Sequence, residues 1–80
     1  MEHDHPTDAE LITYAGRFYR RPGAREQAVR AELRLSATRF WQLVIAVLDS
    51  PGRIAALPQD LWPVVKRLDE ERLRRMPKAG

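Results

Sequence analysis

The chain has 80 residues, 14 Lys or Arg against 11 Asp or Glu, a net charge of +3, and no cysteine. A chain of this length makes one domain with a small core; disulfides and a thiolate zinc site are excluded. No apolar run approaches the roughly 20 residues needed to span a bilayer, and the polar, acidic start MEHDHPTDAE is not a secretory signal, so no membrane partner is expected and the expected setting is the cytoplasm.

Charge is unevenly spread. Residues 1–15 carry four acids and no Lys or Arg, whereas residues 16–42 carry seven arginines against Glu26 and Glu32. Residues 43–62 come to −1 and residues 63–80 to +3. A basic zone confined to one stretch is the electrostatic footprint of a polyanion binder. An arginine-rich composition alone would give a similar total, so it is what the arginines surround that distinguishes the two.

Residues 1–6 are read as a disordered lead, residues 7–76 as one domain and residues 77–80 as a disordered tail. Thr7 and Glu10 have capping-box spacing. Leu11, Tyr14, Ala15 and Phe18 follow at i, i+3, i+4, i+7, which predicts a first helix from Asp8 to Arg20, ended by Pro22-Gly23. A second helix is predicted from Ala24 to Leu33, with Ala28, Val29 and Leu33 inward. Ser36 is a good N-cap for a third, running to about Asp49. Ser50-Pro51 repeats the signal for a fourth, to about Leu57. Pro58-Gln59-Asp60 breaks it, and a fifth begins after Asp60 and frays before Pro77, with Leu61, Val64, Val65 and Leu68 on its apolar face. No segment has the period-two alternation of a strand. The expected fold class is all-α: about five short helices with a helix-turn-helix core.

That core is the stretch ELRLSATRFWQLV, Glu32 to Val44. Its three-residue connection, Arg34-Leu35-Ser36, has helix-turn-helix length. Val29 and Leu33 would pack the first helix of the pair, Leu35 would plug the turn, and Phe40 and Leu43 would seat the second. In this motif the second helix lies in the major groove with its N-terminal residues at base edges. Those residues are Ala37, Thr38 and Gln42. Gln pairs bidentately with adenine, and Thr offers a methyl or a hydroxyl. Ser36 and Arg39 are assigned to base or phosphate, and Arg17, Arg20, Arg21, Arg25 and Arg34 to phosphates. Two positions depart from the usual pattern. Arg34 stands where positive φ favours glycine. Arg30 stands where a small residue normally lets the helices close, so its stem is expected to snorkel outward.

From Tyr14 to about Leu57 the sequence resembles a family of small actinobacterial proteins of uncharacterised function, also met in phages. The matching residues are Phe18-Tyr19, Gly23-Ala24-Arg25-Glu26-Gln27-Ala28, Leu35-Ser36-Ala37-Thr38-Arg39-Phe40-Trp41-Gln42-Leu43 and Asp49-Ser50-Pro51. The resemblance covers roughly half the chain. It implies a helix-turn-helix DNA-binding domain and supplies neither target nor pathway. Many relatives carry a turn glycine that this chain lacks, and the segment from Gly52 to Pro63 is longer than usual.

The remaining features favour plain readings. Trp41 and Ile45 sit beside the Phe40–Leu43–Val44–Val47 face, which leaves mainly Thr38, Arg39, Gln42 and Ala46 wet, as in a central core helix. His3, Asp4 and His5 lack a further ligand to complete a metal site. No His, Cys or glycine-rich loop accompanies the acids, so neither catalysis nor a cofactor is expected. The run KRLDEERLRRMPK reads as a solvated helix with local pairs such as Asp69 and Arg72. Leu61, Trp62, Val65 and Leu68 are assigned to a homodimer surface, against the alternative that the stripe folds back over the first helix. The functional expectation is a small regulator or accessory factor acting on double-stranded DNA near the nucleoid. The rival is a trihelical protein-interaction module, such as a partner of the transcription machinery, without DNA binding.

Overall fold

The computed structural model describes residues 6–75. Every regular element among them is helical, so the chain is all-α. The assignments of residues 1–5 and 77–80 as disordered, and the His3–His5 cluster, lie outside the described residues.

Helix α1 spans Asp8–Gly16 and opens with the expected capping box: Glu10 N–H donates to Thr7 Oγ1 at 3.1 Å and Thr7 N–H donates to Glu10 Oε1 at 2.8 Å. It ends four residues earlier than the sequence predicted. Arg17 is extended (φ −72°, ψ 142°), so Phe18 leaves the helical register and is 82% exposed instead of joining the apolar face. The buried face is Leu11, Ile12 and Ala15, with Tyr14 partly covered.

Helix α2, Ala24–Ala28, starts after Gly23, whose left-handed φ of +82° favours a residue without Cβ. It continues as a π-helical stretch, Val29–Leu33, within the predicted bounds. Helix α3 spans Ala37–Leu48; Ser36 Oγ accepts from Arg39 N–H at 3.1 Å, the predicted cap. Ser50 plays a different part from the one predicted. Its hydroxyl donates to Ala46 O at 2.9 Å and so closes α3, and the following helix α4, Pro51–Ala55, relies on Pro51 in its first turn. That helix stops short of Leu57, and a 3₁₀ turn, Gln59–Leu61, leads into α5, Trp62–Arg75.

Helix α1 packs against both α3 and α5, α4 rests on α3, and the π stretch also meets α3. Phe40, Val44 and Val47 from α3 meet Ile12 and Val29 in the fully buried centre; Leu57, Val65 and Leu68 close it from the C-terminal half. Val65 and Leu68 therefore belong to the core, Leu61 packs against it, and only Trp62 of the expected dimer stripe is exposed. An 80-residue chain has so little apolar surface that the stripe is used internally.

Two long-range clamps set the packing. A Cβ on Gly16 would stand 2.3 Å from Val64 Cγ1, so α1 and α5 approach closely only because residue 16 is glycine. Arg53 on α4 grips Asp8 at the start of α1 with a two-pronged contact, Nε to Oδ2 at 3.0 Å and Nη2 to Oδ1 at 2.7 Å. The guanidinium holds the Asp8 carboxyl below its ordinary range, chiefly through these hydrogen bonds.

Gly16→Ala should cost about 1–3 kcal/mol in urea unfolding, because α5 must shift to admit the methyl. Gly52→Ala, which meets open space, should leave stability unchanged or raise it slightly. The Asp8 carboxyl is depressed on folding, so its contribution is present above its unfolded pKa and lost as pH falls through the folded one. Asp8→Asn should therefore lower the melting temperature at neutral pH and flatten its fall on acidification. Equal acid sensitivity in both proteins would assign the effect to other carboxylates.

Candidate nucleic-acid interface

The turn between α2 and α3 is Arg34-Leu35-Ser36. Arg34 adopts the left-handed conformation, φ +60° and ψ +39°, that the sequence pattern implied for this position, without the usual glycine. Leu33 and Leu35 are partly buried and pack against the core. The π stretch immediately before the turn widens the helix end, a local departure found often at functional positions. Arg30 is exposed, so its side chain does not enter the core.

Past the turn, α3 shows two faces. Phe40, Val44, Val47 and Leu48 face inward. Thr38, Arg39 and Gln42 are exposed, and Thr38 and Gln42, four residues apart, lie on one face. Ile45 follows one further turn along that face and is 40% exposed, which corrects its expected place beside the core face. Spacing alone could have found it, since 38, 42, 45 and 49 recur at i, i+4, i+7, i+11. Asp49 ends the stripe, and its carboxylate accepts from Arg72 at 2.7 Å. The outward face of α3 thus changes from Thr, Arg and Gln at its N-terminal half to an acid at its end. The helix dipole reinforces that polarity, with its positive end at Ala37. Ala37 itself is half-buried, and the Ser36 hydroxyl oxygen is occupied as the cap.

The arginines separate into two groups. Arg17, Arg20, Arg21, Arg34 and Arg39 are exposed, with Arg17 standing 4.8 Å over the Tyr14 ring. Arg25 is not a free cation. Its Nε donates to Tyr14 O at 3.2 Å and its Nη2 to Arg17 O at 2.9 Å. Its guanidinium lies 5.1 Å from the Tyr19 ring and 5.7 Å from the Trp41 ring. That corrects its assignment to phosphate: it holds the α1–α2 segment against α3. Trp41 is half-buried, edge-on to Phe40 with centroids 4.9 Å apart.

Between α1 and α2 the surface is concave. An open cavity of about 380 Å³ is lined by Tyr19, Arg20, Arg21, Pro22, Gly23, Arg25 and Glu26. The Tyr19 hydroxyl is buried without a hydrogen-bond partner among the described residues. Tyr14 donates to Glu32 Oε1, tying α1 to the π stretch, and the carboxylate raises the Tyr14 hydroxyl above its ordinary range. That contact neutralises neither arginine nor lysine. No group of three or more potential metal ligands occurs among the described residues, and no helix there is long and apolar enough to cross a membrane.

Residues 5–78 match the family described as a protein of unknown function, DUF3263, and the chain belongs to that family. No curated protein and no solved structure matches the chain.

The strain at Arg34 makes a test that separates fold from binding. Arg34→Gly should raise stability by about 1 kcal/mol, because glycine adopts the left-handed conformation without a Cβ penalty. Urea titration of both proteins measures it, and a loss of stability would mean that the Arg34 side chain contributes packing greater than the strain.

Proposed function

We propose that the protein is a helix-turn-helix DNA-binding protein, a regulator or accessory factor that acts at the nucleoid by occupying duplex DNA or by bringing a second protein to it. The observation that carries the reading is the outward face of α3: Thr38, Arg39 and Gln42 stand exposed directly after a helix-turn-helix connection, while the opposite face is anchored in the core. A base-reading helix needs both properties, free polar side chains at its N-terminal half and a rigid seat. The resemblance to small actinobacterial and phage proteins points the same way.

In this reading the N-terminal half of α3 enters the major groove. Gln42 presents its amide to an adenine edge, and Thr38 presents its methyl or hydroxyl to the neighbouring pair. Arg39 serves a guanine or a phosphate, and Arg17, Arg20, Arg21 and Arg34 serve phosphates. Exposed, unpaired arginines around one motif have no structural task in the core, which weighs against a module that binds only protein.

Affinity for random duplex should fall steeply with salt, with a log–log slope of about −0.9 for each phosphate contact. A flat response would sink the reading. On a sequence selected from a random pool, Gln42→Ala should cost roughly 1–3 kcal/mol and relax preference at one base pair. Arg34→Gly should weaken all sequences alike and shorten the salt slope by about one contact. Unchanged ranking of sites by Thr38→Ala and Gln42→Ala together would exclude α3 as the reader.

A further inference from the structure

The segment between α1 and α2 contains a side chain that the fold does not use. Phe18 is 82% exposed, the most exposed of the large apolar side chains among the described residues. Its neighbours on both sides are cations: Arg17 precedes it, and Arg20 and Arg21 follow, all exposed. Residues 18 and 19 are in neither helix nor turn. Tyr19 is half-buried with its ring 5.1 Å from the Arg25 guanidinium, while Phe18 is exposed. The segment is held firmly. Arg25 donates to Arg17 O at 2.9 Å and stacks against Tyr19 and Trp41. Trp41 is one turn beyond Thr38 on α3, at i, i+3. The segment that displays Phe18 is thus fixed beside the edge of the proposed reading helix, next to the concave surface lined by Arg20 and Arg21.

We propose that Phe18 is an apolar contact to the DNA itself, packing on deoxyribose at the flank of the site that α3 reads, while Arg20 and Arg21 take the adjoining phosphates. The inference rests on the DNA-binding reading above. The occupant is set by the surroundings. A short stretch that displays an exposed aromatic ring among exposed arginines, Arg17 before it and Arg20 and Arg21 after it, matches a surface that alternates apolar sugar with anionic phosphate. An apolar protein patch would leave those charges desolvated and unpaired, and one aromatic side chain is too little to hold a membrane surface. Apolar side chains are used against duplex DNA without reading a base, most visibly as wedges inserted between base steps from the minor groove.

The contact predicts a particular signature. Loss of a phosphate-binding arginine lowers affinity and shortens the salt slope, because fewer counterions are released. Loss of an apolar contact lowers affinity at every salt concentration and leaves the slope unchanged. Fluorescence anisotropy with a labelled duplex of about 20 base pairs, over a range of salt, separates them for wild type, Phe18→Ala, Phe18→Trp and Arg20→Ala/Arg21→Ala. Phe18→Ala should weaken binding about tenfold, as burial of a phenyl ring would give, with the wild-type slope. Phe18→Trp should restore most of the affinity. The double arginine variant should shorten the slope by roughly two contacts. Thermal melting of Phe18→Ala should match wild type, since the ring contributes little to the core.

A wild type that binds no duplex overturns the DNA-binding reading itself. A wild type that binds, with Phe18→Ala indistinguishable from it, overturns this inference alone. Phe18→Ala with a shortened slope, or no rescue by tryptophan, also overturns it and makes Phe18 a residue that positions the arginines.

Discussion

The C-terminal end of α1 is the junction on which the rest of the molecule depends. A helix that stops leaves its last carbonyls without amide partners, and here no left-handed residue closes the end. Arginines from two other elements do it. Arg25 takes the carbonyls of Tyr14 and Arg17, and Arg67 donates to Gly16 O at 2.6 Å. Each guanidinium also meets the negative end of the helix dipole. One helix end thereby fixes the direction of the chain into α2, the seat of α5 and, through Tyr19 and Trp41, the edge of α3. Gly16 permits this convergence by letting Val64 come within the space a Cβ would fill.

This junction changes what the charge pattern means. Seven arginines between residues 16 and 42 suggested a single basic field. One of them, Arg25, is consumed in holding the fold, and the C-terminal basic run is likewise partly internal. Arg67 serves α1, and Arg72 bridges Asp49 and Asp69 at 2.7 and 2.9 Å. Within that stretch Arg17, Arg20, Arg21, Arg30, Arg34 and Arg39 remain exposed, and Lys66 and Arg74 are exposed on α5. The usable positive surface is smaller than the composition implies.

Features set by neighbours in sequence were legible beforehand. The Thr7–Glu10 box, the Ser36 cap, the Pro51 start and the positive φ at residue 34 follow from a few adjacent residues, and all are present. The accessibility of Thr38, Arg39 and Gln42 was legible too, since it follows from helical spacing. The end of α1 was not, because its cause lies in Arg25 and Arg67, and Arg67 is 51 residues from the carbonyl it meets. Phe18 looked like a continuation of the apolar face for the same reason. The role of Val65 and Leu68 also escaped pattern reading. An apolar stripe on a terminal helix has the same periodicity whether it meets its own chain or another, and only the close α1–α5 packing distinguishes them.

The separation of these contacts along the chain also orders how the molecule is made. Nine residues are too few for an isolated helix to persist in water, where marginal stability begins at roughly 12–15. Arg25 and Glu32 reach α1 from nearby in sequence, but its seat is completed by Arg53, 45 residues beyond Asp8, and Arg67, 51 residues beyond Gly16. During vectorial synthesis α1 therefore emerges well before the two arginines that complete its seat. The α2–α3 pair has its partners close by in sequence and assembles ahead of it. The face that carries Thr38 and Gln42 takes shape before the helix that buttresses it, and the chain is committed to its final form only once α5 has emerged and closed on Gly16.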